Sequence, residues 1–72
     1  MMLPVFSGQK YSHYYEVETG NYLLFDNEHQ SYAYLQGDDA RIFREQMEHI
    51  ESLNATEHEI EHLTENTIGI YL

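Results

Sequence analysis

Asp38–Leu53, DDARIFREQMEHIESL, is the stretch that most restricts how this chain can fold. Stepping about 100° per residue from Ile42 brings Leu53, Ile50, Phe43, Met47 and Ala40 into a sector of about 160°. Arg41, Arg44, Glu45, Glu48, Glu51 and Ser52 fall on the opposite side. Such a stripe predicts an amphipathic helix that must bury one face against another layer. Asp38 can cap its start, and Asp38 and Asp39 sit where the helix dipole favours negative charge. Arg41–Glu45 and Arg44–Glu48 have i,i+4 spacing, in the weaker charge order.

The layer for that helix has to come from the preceding residues. Leu3–Ser7 is a short apolar run interrupted by Pro4, suited to an edge strand or an arm. Lys10–Glu18 alternates, with Tyr11, His13, Tyr15 and Val17 on one side and Ser12, Tyr14, Glu16 and Glu18 on the other. Thr19-Gly20-Asn21 signals a hairpin. Tyr22–Phe25 and Ser31–Gln36 read as further strands, separated by the polar loop Asp26–Gln30, and Gly37 ends the last one. Asn54 suits a left-handed helix terminator. Thr56-Glu57-His58-Glu59 matches a capping box and opens a second helix to about Asn66. The ending TIGIYL alternates and suits a terminal strand. The expectation is one α+β domain, residues 1–72: a small antiparallel sheet of three or four strands packed on two helices, in the order β-β-β-α-α(-β).

Seventy-two residues lie near the lower limit for a self-sufficient core, and with no cysteine there is neither a disulfide nor a thiolate metal site. The start, MMLPVFSGQK, lacks the pattern of a secretory signal. No stretch approaches the roughly 18 apolar residues of a membrane span. A cytoplasmic protein that does not engage membranes is expected.

Thirteen acids against three bases give a net charge of −10, with −3 in residues 1–37 and −7 in residues 38–72. Direct nucleic-acid binding is disfavoured, because no basic footprint is available to displace counterions from phosphates. An acidic surface suits basic partners, at the cost of self-repulsion, and also promotes solubility. Histidines among so many carboxylates are expected to have raised pKa values.

His58-Glu59-Ile60-Glu61-His62 matches H-E-x-x-H, two histidines four apart on one helix face with a glutamate between them. Over these five residues the chain resembles the zincin metallopeptidases, which implies zinc on His58 and His62 with Glu59 as general base. Charged residues at Glu57 and Glu61, the capping role open to Glu59, and the short chain all oppose that chemistry. No catalytic residues and no cofactor are expected, beyond an adventitious divalent metal held by His58 and His62 with His49 or a nearby glutamate. The isolated glycines build no phosphate loop, and no serine sits in a nucleophile elbow.

Tyrosine is the second anomaly, at seven residues. If His13, Tyr15, Val17, Leu23, Phe25, Ala33 and Leu35 face the helices, then Tyr14, Tyr22, Tyr32 and Tyr34 lie on the outer face. One helix layer cannot cover both faces of a sheet. Such an aromatic face serves a homodimer or a different partner, or only pairs across strands.

Carboxylates spaced along helices can imitate a row of phosphates. The candidates are Asp38, Asp39, Glu45, Glu48, Glu51, Glu57, Glu61 and Glu65. In size, charge and compactness the chain resembles the small acidic inhibitors encoded by phages and mobile elements, anti-CRISPR proteins and other DNA mimics among them. That resemblance implies a non-catalytic, stoichiometric inhibitor. It would block a basic nucleic-acid-binding surface on a nucleic-acid-handling protein, such as a CRISPR-Cas effector, in the host cytoplasm. The alternatives are a metal-binding module or minimal hydrolase built on HEIEH, and a structural or assembly subunit.

Overall fold

A computed structural model describes residues 1–71. Four strands, β1 (Met2–Ser7), β2 (Tyr11–Glu16), β3 (Tyr22–Asp26) and β4 (Ser31–Leu35), precede two helices, α1 (Gly37–Ser52) and α2 (Glu57–Tyr71). The strands form one antiparallel meander in sequence order, and the helices cover one of its faces. The α+β fold is the expected one. Its fourth strand comes from the N-terminal run, which is an edge strand as its proline suggests. A register shift between Pro4 and Phe6 leaves Val5 as a bulge residue, so β1 has an irregular edge.

The TIGIYL ending is helical through Tyr71, and Leu72 lies outside the described residues. Alternation misled here because Thr67 also continues the 3.6-residue period of Ile60 and Thr64. All three are buried. The hydroxyls of Thr64 and Thr67 donate to the carbonyls of Ile60 (2.7 Å) and Leu63 (2.9 Å), so neither leaves a buried donor unpaired.

Phe43, Leu24, Leu35 and Ala40 form the buried centre, with Tyr22, Met47, Leu63 and Ile68 packed around it. Cross-strand pairs fix which residues share a face. Tyr15 opposes Tyr22, which opposes Leu35, and His13 opposes Leu24, which opposes Ala33. β3 therefore runs in the opposite phase to the expected one. Leu24 and Tyr22 point to the helices, while Leu23 and Phe25 point away. Hairpin length decides this: a change of one residue in the turn moves every side chain of the next strand to the other face.

Local signals at the element ends are mostly obeyed. Gly20 (φ 78°), Gly37 (φ 56°) and Asn54 (φ 59°) adopt the left-handed region at their turns. The capping box forms, with the Glu59 amide donating to Thr56 Oγ1 (3.2 Å) and the Thr56 amide donating to Glu59 Oε1 (3.4 Å). Asp38 does not cap α1. The N-cap is Gln36, without a side-chain bond, and Asp38 and Asp39 lie in the first turn.

Candidate protein-binding surfaces

Three surfaces emerge: the outward side of α1, the flank of α2 that faces the start of β2, and the outer face of the sheet.

On α1 the acids are interleaved with the two arginines of the chain. Arg41 bonds Glu45 (2.9 Å) and lies 3.7 Å from Asp38. Arg44, Glu48 and Glu51 sit near the Tyr22 phenol. Burial chiefly raises the Tyr22 pKa, with Arg44 opposing and Tyr15, Glu48 and Glu51 adding. The expected Arg41–Glu45 pair thus forms, whereas Arg44–Glu48 is not among the ion pairs within 4 Å of the described residues. Asp39 borders a shallow groove with Ile42, Phe43, Gln46, Thr67 and Ile70.

On α2, Glu57, Glu61 and Glu65 follow one another at four-residue spacing. They rise along one flank at about 6 Å per step. Contacts with the start of β2 place that flank: the Gln9 amide donates to Glu57 (3.4 Å), and Lys10 lies 3.9 Å from Glu65. Two further acids join them from the β3–β4 connection. Tyr11, buried beside this flank, has its phenol pKa raised by burial first and then by Glu65, Asp26, Glu28 and Glu61. Asp26 is fixed by accepting from the Glu28 and His29 amides (3.0 and 3.1 Å) and from the His29 ring (2.9 Å). Sequence reading missed Asp26 and Glu28 as members of this ridge. The meander brings Asp26 opposite Tyr11, a pairing that only the register reveals.

His29 and His13 shift in opposite directions because one is exposed beside a carboxylate and the other is buried. His29 behaves as expected, its pKa raised by the Asp26 hydrogen bond and charge. His13 does the opposite, because burial lowers its pKa to about 4. Its ring lies in the core, 4.8 Å from that of Phe6 and 5.3 Å from that of Phe43. The Thr64 hydroxyl already donates to Ile60, so it accepts from His13 Nε2–H at 2.8 Å, which sets the neutral tautomer.

His58 and His62 are both exposed on α2, and Glu59 is held by Thr56. His58 Nδ1 lies 4.0 Å from Glu61. Among the described residues, no group of three or more histidines, aspartates or glutamates converges to hold a metal ion. His49 lines a different feature, an open groove of about 400 Å³ between the helices, with Ile42, Glu45, Gln46, Ile50 and Leu63.

The outer sheet face carries Tyr14, Leu23 and Tyr34 in one cross-strand row and Phe25 and Tyr32 in the next. Tyr32 is 63% exposed and Tyr34 40%. Tyr14, Tyr32 and Tyr34 occupy their expected positions. Tyr22 does not: its ring packs 5.3 Å from that of Phe43 on the helix side. The missed outer residues, Leu23 and Phe25, were hidden by the phase error in β3.

No helix among the described residues is long and apolar enough to cross a membrane. Compared with known proteins, the chain matches no family model, no curated protein and no solved structure.

Proposed function

We propose that this protein is a stoichiometric, non-catalytic inhibitor that presents acid to a basic nucleic-acid-binding surface of a partner, such as a CRISPR-Cas effector. The observation that carries this reading is the α2 ridge. Glu57, Glu61 and Glu65 follow one another along α2 near Asp26 and Glu28, with Glu57 and Glu65 exposed and the Glu61 side chain 14% exposed; Lys10 reaches Glu65, the His29 ring bonds Asp26, and His58 lies 4.0 Å from Glu61. A regular row of carboxylates on a rigid helix is the arrangement a cleft built for phosphates would accept. Asp38, Asp39, Glu45, Glu48 and Glu51 on α1 extend the acidic field, but Arg41 and Arg44 dilute it. They are assigned a steering role rather than the central contact.

Affinity capture from host lysate, followed by displacement of labelled duplex from the captured protein, tests the reading. The expected result is release of nucleic acid at about one equivalent, weakening steeply between low and high salt because the contact is charge on charge. Capture of nothing at low salt, or a captured protein that keeps its nucleic acid, would overturn it.

A further inference from the structure

We infer that the outer face of the sheet is the interface between two copies of this chain, packed sheet to sheet with the helices outward. The two faces of the sheet differ sharply in charge. Nine of the thirteen acids belong to α1 and α2, which cover the inner face. The outer face presents Tyr14, Leu23, Phe25, Tyr32 and Tyr34. Glu16, at the end of β2, is the one charged side chain the strands direct there.

Charge selects the occupant. Two copies each carrying −10 repel wherever acid meets acid, so a second copy can approach closely only where acid is missing. A basic partner would be drawn to the helices and would gain nothing electrostatic from this face. Tyrosine and phenylalanine in adjacent rows also suit self-association, since aromatic rings pack well against a copy of themselves. An aromatic side chain buries roughly 150–250 Å², so Tyr32 and Tyr34, 63% and 40% exposed, together offer roughly 150–260 Å² on each copy. A face of this size places the dimer toward the small, weak end of specific interfaces. Such a dimer would carry an α2 ridge on each of its two outer sides and so be bivalent.

Sedimentation equilibrium at about 20 mM and about 500 mM salt tests the inference through its sign. Dimerisation should tighten at least several-fold at high salt, because screening removes repulsion between like-charged copies. Partner binding through the ridge should weaken over the same range, so the two readings fail independently. Tyr34→Glu and Tyr32→Glu, each at an exposed position and checked by circular dichroism, should leave the protein monomeric. Ile42→Glu, on the helix side, should leave the dimer intact. A wild-type chain monomeric at both salt concentrations would overturn the inference and leave the face to a different partner. A dimer that survives both tyrosine substitutions, or that is lost with Ile42→Glu, would overturn it in favour of a strand-edge or helix-groove interface.

Discussion

The two helices of this protein attach to the same sheet in different ways. α1 inserts Phe43 and Ala40 into the apolar centre and partly offsets its five acids with Arg41 and Arg44. α2 buries Ile60, Thr64 and Thr67, is tied to the sheet through a hydrogen bond to a neutral histidine, and contains four glutamates with neither lysine nor arginine. A strongly amphipathic helix is the better anchor. The helix with the weaker pattern carries the less compensated charge. Under the proposed function, the segment most prominent in the sequence is not the one that would meet the partner.

Replacing the α1 anchor should break this contrast most severely. Phe43→Ala removes a ring that is 1% exposed and touches His13 and Tyr22, and should cost about 3–5 kcal/mol in urea unfolding. For a chain of this size that is enough to unfold much of the population at ambient temperature.

The next effect belongs to the polar anchor of α2 and depends on pH. His13 is held neutral in the fold, with its pKa lowered from 6.5 to about 4. Above pH 6.5 neither the folded nor the unfolded chain protonates it, and its contribution is fully present. As pH falls from 6.5 to about 4, the unfolded chain takes up the proton first and stability is lost, by about 3 kcal/mol in all. Unfolding free energies measured across that window should show this loss, and His13→Gln should remove it. His29 has the opposite sign. Its raised pKa gives a contribution present below 6.5 and lost as pH rises through the folded value.

Thr64→Val sharpens the same point without changing charge. It leaves His13 Nε2–H without its acceptor and should cost about 1–3 kcal/mol by chemical denaturation. The smallest effect is on the α1 surface. Arg41→Ala breaks an exposed ion pair and should change stability by less than about 0.5 kcal/mol, within the error of most unfolding curves.

Much of this architecture could be read from residue patterns. The period of Ala40, Phe43 and Met47 identified α1, the Thr56–Glu59 box identified the start of α2, and Gly20 and Asn54 marked turns through their backbone freedom. Ala33 and Leu35 faced inward as expected. What escaped was set by register. The phase of β3 depends on how the β2–β3 turn closes, and the wrong phase moved Tyr22, Leu23 and Phe25 to the wrong faces together. The acid ridge was half legible for the same reason: Glu57, Glu61 and Glu65 follow from helical spacing, but Asp26 and Glu28 join them only through strand pairing. Alternation placed His13 on the helix side, but its buried hydrogen bond was illegible, since its acceptor, Thr64, lies 51 positions away in the chain.

The central claim of the proposed function is that the acid row on α2, which holds no lysine or arginine of its own, rather than the arginine-interleaved acid of α1, makes the partner contact. Nucleic-acid displacement from the captured partner should be compared for Glu57→Lys/Glu65→Lys and Glu45→Lys/Glu48→Lys, each matched in charge and verified as folded. The α2 pair should lose at least about 100-fold in potency and the α1 pair no more than about 10-fold, since each lost charge-assisted contact is worth about 1.5–3 kcal/mol while a steering charge acts mainly through the association rate. Equal losses for the two pairs, or full activity of the α2 pair, would contradict the account.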